Sequence, residues 1–181
     1  MALVKIILGI DPGSQFTGFG AVRSEGRHVE LISCGVIAPP LNLGFNERIG
    51  IISHELQILV EKLRPNITVI ERIFLGKSAD SAFKLGHARG IAVATAIRAG
   101  SEVIEYATRS VKKGITGSGS ASKEQVQLIL FAALGLRGSA RADASDALAL
   151  AFYHARNLEV LGNMAGGLTK KRPARREGNL L

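Results

Sequence analysis

Apolar positions along the first forty residues cluster in short β-branched runs separated by turn residues. Val4 to Ile10 runs directly into Asp11-Pro12-Gly13, while Thr17 to Arg23 and His28 to Ile37 flank a turn at Gly26. Runs of this length and composition, bounded by Gly and Pro, predict a three-stranded antiparallel meander. After Pro39-Pro40 the period changes. Phe45, Ile49, Ile52, Leu56, Leu59 and Leu63 recur at steps of three and four, which is the spacing of one helix face. Pro65-Asn66 ends that helix, and Ile67 to Ile70 reads as a buried strand leading into Glu71.

The stretch from Ser78 to Ala99 is again helical, with the small residues Ala82, Gly86, Gly90 and Ala94 along it, suited to close packing. Val103 to Tyr106 predicts a short strand, followed by a short helix around Arg109 to Lys113 and the loop Gly117-Ser118-Gly119-Ser120. Ser122 with Gln125 forms a capping-box pattern ahead of a helix carrying Val126, Ile129, Leu130 and Ala133. A last helix is expected from about Ala142 to Leu158. A meander followed by helix, strand, helix, strand and helices is the order of an α/β fold with a mixed sheet. One domain over residues 1–161 is expected, with residues 162–181 as a basic, flexible tail.

Composition agrees with a globular protein, at 46% hydrophobic and 21% charged residues. The 21 glycines imply several tight turns or close backbone approaches. Of the formal charge of +8, half comes from the tail, where Lys170, Lys171, Arg172, Arg175 and Arg176 stand against Glu177. Such a basic excess favours polyanionic partners, because neutralising phosphates releases condensed counterions. The lone Cys34 leaves no internal disulfide, which fits a reducing compartment. No stretch approaches the ~20 apolar residues needed to cross a bilayer, so the reading is cytoplasmic with no membrane partner.

Against this background four carboxylates stand out. Asp11 and Glu71 end the first and fourth strands, at the sheet edge where open α/β sheets form their sites. If those strands are parallel neighbours, both side chains emerge into one crevice. Read singly, an Asp before Pro-Gly is an ordinary turn residue. Asp143 and Asp146 are three apart near a helix start and so share a face, although acids there also suit the helix dipole. The residues that follow, Ala147 to Phe152, are apolar, so the helix is buried and its acids point into a cleft.

Carboxylates so placed repel by ~4 kcal/mol per pair at ~4 Å and an effective dielectric near 20, so cations must balance them. An all-oxygen site suits Mg²⁺ or Mn²⁺ rather than zinc. Two such ions ~3.5 to 4 Å apart activate a water and stabilise the leaving oxygen in phosphodiester hydrolysis. The expectation is a magnesium-dependent endonuclease acting on DNA. His154 lies ~12 Å beyond Asp146 along the same helix and is read as structural.

Several segments in order carry a family resemblance. These are Gly9-Ile10-Asp11-Pro12-Gly13-Ser14 with Thr17-Gly18-Phe19-Gly20, then Glu71-Arg72-Ile73-Phe74, then Ala79-Asp80-Ser81-Ala82 with Lys84-Leu85-Gly86 and Ala88-Arg89-Gly90, and Ala142-Asp143-Ala144-Ser145-Asp146-Ala147-Leu148-Ala149. Together they resemble the RuvC family of Holliday-junction resolvases over nearly residues 5–158. The resemblance implies a ribonuclease-H-like fold with a mixed five-stranded sheet flanked by helices. It implies a homodimer that places two active sites on opposed strands of a four-way junction, nicking them symmetrically during recombination and repair. It implies Asp11, Glu71, Asp143 and Asp146 as catalytic acids holding two Mg²⁺ ions, with Mn²⁺ as a substitute.

Phe74 falls at the family's aromatic that stacks on an unpaired base, and Lys112 and Lys123 fall at its basic positions near the scissile phosphate. Lys123 at a helix start opposes the dipole unless a phosphate sits there. A branch-migration motor of the RuvA and RuvB type is the implied partner. Arg72 stands where a Gln is expected, and the basic tail has no counterpart in the family pattern.

The same residues admit two rival readings. Asp11-Pro12-Gly13-Ser14 to Gly18 also resembles the first phosphate loop of actin-like and sugar kinases, but the second Gly-rich loop of a duplicated domain is missing. A non-catalytic junction-binding protein would have lost at least one acid, and all four stand.

Overall fold

The computed structural model describes residues 3–72, 78–136 and 141–168. Five strands form one sheet: β1 (Val4–Asp11), β2 (Thr17–Glu25), β3 (His28–Ile37), β4 (Ile67–Glu71) and β5 (Glu102–Tyr106), in the spatial order β3-β2-β1-β4-β5. The meander pairs antiparallel, whereas β4 adds to β1 in parallel and β5 to β4 in parallel. The sheet is therefore mixed, as expected.

The helices are α1 (Phe45–Leu63), α2 (Ala79–Arg98), α3 (Thr108–Thr116), α4 (Lys123–Ala133) and α5 (Ala142–Leu168). They cover both faces because strand side chains alternate with period two. Leu8, Ile10 and Ile70 face a core completed by Ile52, Leu56 and Val60 of α1 and Ala92 of α2. Ile7 and Val69 point the other way, into a core made with Val111 of α3, Leu130 of α4 and Leu148 and Ala151 of α5.

Glycine determines how closely α5 approaches the sheet. A Cβ on Gly9 of β1 would lie 1.9 Å from the Ala147 carbonyl oxygen, and one on Gly18 of β2 would lie 2.0 Å from that of Asp143. Neither position admits a side chain while α5 lies where it does. Gly18 is also the register partner of Asp11. The bare backbone opposite Asp11 is thus what brings the first turn of α5 beside the end of β1.

Helix α5 extends to Leu168, ten residues past the end expected from its apolar pattern. Gly162, the expected start of the tail, lies inside it. Glu159, Leu161, Met164 and Ala165 are good helix formers that continue a helix already propagating, although Gly162, Gly166 and Gly167 each cost about 1 kcal/mol relative to Ala.

Candidate active site

The parallel register of β1 and β4 pairs Ile10 with Ile70, so Asp11 and Glu71 are the next residues on adjoining strands. Both emerge at one sheet edge. The loop after Asp11 is held by the buried Thr17, whose hydroxyl donates to the Gly13 carbonyl oxygen at 2.8 Å. Across this edge lies the start of α5. Ala144, Ala147 and Leu148 are buried against the sheet, which leaves Asp143 and Asp146 half-buried on the flank facing Asp11. The apolar run after Asp146 buries the helix, as its composition predicts.

A cleft of about 180 Å³ is lined by Asp11, Glu71, Thr108, Lys112, Lys123 and Asp146 among others. Asp143 stands outside this lining, yet its charge acts on Asp11. A larger cavity, about 500 Å³, lies between the β2–β3 turn and α3, α4 and α5 and contains none of the four acids. Size alone therefore does not mark the chemistry.

Asp11 registers the convergence most clearly. Burial first, then the charges of Glu71, Asp146 and Asp143, push its carboxyl from an ordinary 3.8 up to about 7, against a smaller lowering by Lys123. Two of the acids have protein partners. The Lys123 ammonium pairs with Asp146 Oδ2, and the Thr108 hydroxyl donates to Glu71 Oε1. The Asp146 hydrogen bond in turn raises the Lys123 pKa. Lys112 Nζ donates to the Ala121 carbonyl oxygen at 2.8 Å, which ties α3 to the loop before α4.

These observations test whether cations fit. Among the described residues no three acidic, histidine or cysteine side chains are gathered tightly enough to ligate one ion as they stand. The donor chemistry is nonetheless suitable: carboxylate oxygens without thiol or imidazole, an Asp11 raised by burial and then by the neighbouring carboxylates, and an ammonium already drawn in as countercharge. By donor type and charge the residues fit a hard divalent cation.

Of the residues singled out in the sequence, Asp11, Glu71, Asp146, Lys112 and Lys123 meet in this cleft, with Asp143 at its side. Phe74 lies outside the described residues. In the fold Asp146 supplies the negative charge beside Lys123 at the start of α4. His154 is buried and bonded through Nδ1 to the Tyr106 hydroxyl at 2.9 Å, a structural placement. Thr108 was not singled out and reads as an ordinary helix-start residue. Gly18 entered only as part of the family-resembling segment Thr17-Gly18-Phe19-Gly20, without its contact to α5.

A mixed sheet of this order, with acids at the ends of adjoining parallel strands and on a helix packed across them, defines a ribonuclease-H-like nuclease. Residues 7–154 match the family described as crossover junction endodeoxyribonuclease RuvC. The chain belongs to the RuvC family. It is 55% identical over 150 residues to the crossover junction endodeoxyribonuclease RuvC of Bdellovibrio bacteriovorus, covering 83% of this chain and 89% of that relative. With the enzyme of the same name from Marinobacter nauticus it shares 44% over 162 residues, covering 90% and 92%. Among solved structures, Thermus thermophilus RuvC in complex with a Holliday junction substrate superposes with a TM-score of 0.80 at 30% identity, covering 86% of this chain and 96% of that one. The family hydrolyses phosphodiester bonds, and divalent-metal dependence is general to it. No helix among the described residues is long and apolar enough to cross a membrane.

Proposed function

We propose that this chain resolves four-way DNA junctions by paired symmetric nicks during recombination and repair, with Asp11, Glu71, Asp143 and Asp146 holding two Mg²⁺ ions, for which Mn²⁺ substitutes. The observation that carries this reading is the convergence of three carboxylate charges on a partly desolvated Asp11. Protein interiors tolerate such a group poorly unless a cation completes it.

Bound there, divalent ions supply Lewis-acid activation of a water and charge stabilisation at the leaving oxygen. The chain's own residues set where that chemistry happens. Asp11 and Glu71 are fixed by the strand ladder, and Asp143 and Asp146 by a helix docked on glycine, so the acids stand on rigid elements rather than loops. Lys112 and Lys123 serve the scissile phosphate. An ammonium has three N–H donors, and the Ala121 carbonyl takes only one from Lys112. With the acids occupied by cations, the Lys123 ammonium, now paired with Asp146, would be free to meet the phosphate. Phe74 stacks on an unpaired base near the crossover, a role suited to an aromatic ring.

A homodimer presents two such sites to opposed strands. A branch-migration motor of the RuvA and RuvB type feeds the junction to it in the cytoplasm. Residues 1–161 form the nuclease domain, and the five basic residues of 162–181 add counterion-dependent affinity for DNA. The complex of the T. thermophilus relative with a Holliday junction substrate supports the choice of substrate.

The test is incubation with a mobile synthetic junction and Mg²⁺. Paired, symmetric nicks that a ligase reseals are expected, with no cutting by Asp11→Asn despite retained junction binding. Nicking by Asp11→Asn, or random single nicks by the parent, contradicts the reading. Phe74→Ala is expected to reduce cutting more than binding, and light scattering at micromolar protein to report a dimer.

A further inference from the structure

Thr108 has no role in the reading above, yet its hydroxyl donates to the Oε1 carboxylate oxygen of Glu71 in the cleft that holds the acids. We propose that Thr108 is a positioning residue for cation binding, fixing one oxygen of Glu71 so that its carboxylate is presented to the ion before the ion arrives. The inference rests on the assignment of Glu71 as a metal ligand.

The need for such a residue follows from the side chain. Glutamate has one more rotatable bond than the three aspartates, so a backbone held in the β4–β5 ladder still leaves its carboxylate free to turn. Its charge is one of those crowding Asp11, so repulsion between the two opposes their meeting at one ion until the ion is there. Without a tether, its orientation must be set at the moment of binding, at an entropic cost.

Thr108 is well placed to act as that tether. Glu71 and Tyr106 are register partners across β4 and β5, and the Arg72 amide donates to the Tyr106 carbonyl oxygen at 2.8 Å. Thr108 follows two residues later as the first residue of α3, a helix anchored by the buried Val111. Its β-branched side chain has few χ1 choices. The hydroxyl is not employed as a cap, since the N-cap is Ala107 and no side chain caps α3. No acidic residue occupies the first turn of α3, so the partial positive charge at that helix end also acts on Glu71.

Thr108 is exposed, so removal of its hydroxyl leaves the core intact. The experiment compares the parent with Thr108→Val, Thr108→Ser and Glu71→Gln, each checked for folding by thermal melt. Mn²⁺ binding without DNA is followed by electron paramagnetic resonance of the free ion. Loss of an outer partner of a ligating carboxylate weakens binding on the order of tenfold, so that shift is expected for Thr108→Val, with Thr108→Ser close to the parent. The Mg²⁺ concentration for half-maximal cleavage should rise in parallel, while the rate at saturating Mg²⁺ and junction affinity in Ca²⁺ stay near parental values. Parental Mn²⁺ affinity in Thr108→Val, or failure of Thr108→Ser to restore it, overturns the proposal. If Glu71→Gln also binds Mn²⁺ like the parent, the ligand assignment falls with it. If Glu71→Gln alone loses binding, only the role of Thr108 is lost.

Discussion

Lys123, at the start of α4, pairs with Asp146 on α5, 23 residues further along the chain. The Lys123 side chain is 59% exposed and that of Asp146 is 32% exposed. A pair so open to solvent contributes at most about 1 kcal/mol to folding. Lys123→Gln should therefore barely move the melting temperature, whereas cleavage of a junction should fall by at least about tenfold if the ammonium meets the phosphate. Calorimetry beside single-turnover kinetics separates the two. A large loss of stability with normal cleavage would assign Lys123 to the fold alone.

The raised carboxyl of Asp11 makes a prediction for the metal-free protein. Its folded pKa, about 7, exceeds the ordinary 3.8, so between these values the folded state binds more protons than the unfolded state. Stability from this group is highest at low pH and declines as pH rises through that window. Asp11→Asn should flatten the decline and melt at a higher temperature than the parent near pH 7.5 in EDTA. Mg²⁺ should raise the parent's melting temperature and leave that of Asp11→Asn nearly unchanged. A parent more stable than Asp11→Asn in EDTA at that pH would refute the charge-crowding account.

Gly18→Ala should be severe for a mechanical reason. Its Cβ would fall 2.0 Å from the Asp143 carbonyl oxygen, so α5 must shift away from Asp11 or β2 must bend. Cleavage should drop by about a hundredfold or more, since even small misplacement of reacting groups is costly. Gly50→Ala on α1, where an added methyl meets nothing within 4 Å, is the control and should gain up to about 1 kcal/mol. Equal behaviour of the two variants in urea melts and cleavage assays would show that the close approach of α5 is dispensable.

His154 predicts a pH response of the opposite sign. Burial lowers its pKa from 6.5, and its Nε2 has no hydrogen-bond partner among the described residues. The folded state therefore favours the neutral ring, and stability from this group is lost as pH falls below about 6.5 toward the lowered folded value. His154→Gln should show a shallower acid-side loss than the parent in melts between pH 7 and 5. Because Asp11 acts in the opposite direction over the same interval, the difference between variant and parent is the informative quantity. A parent and variant with parallel pH profiles would remove His154 from the account.

Much of this architecture was legible in hydrophobic period alone. The change from runs of β-branched residues to steps of three and four separated the meander from α1, and the apolar run after Asp146 foretold a buried α5. What periodicity could not supply was pairing between distant segments. The parallel neighbours β1 and β4 are sixty residues apart, and their adjacency was only a condition of the argument until the register placed Ile7 against Ile67. The partnerships of Thr108 with Glu71 and Lys123 with Asp146 likewise arise from packing. Glycine was informative only in aggregate, because its meaning at position 18 depends on the backbone that lies against it. The end of α5 was misplaced because the apolar signal fades before helix propensity does.

The four candidate acids come from positions 11, 71, 143 and 146, and the last two arrive on the final helix. On the proposed assignment, a chain still lacking α5 carries half of the ligand set, and docking of α5 on Gly9 and Gly18 completes it.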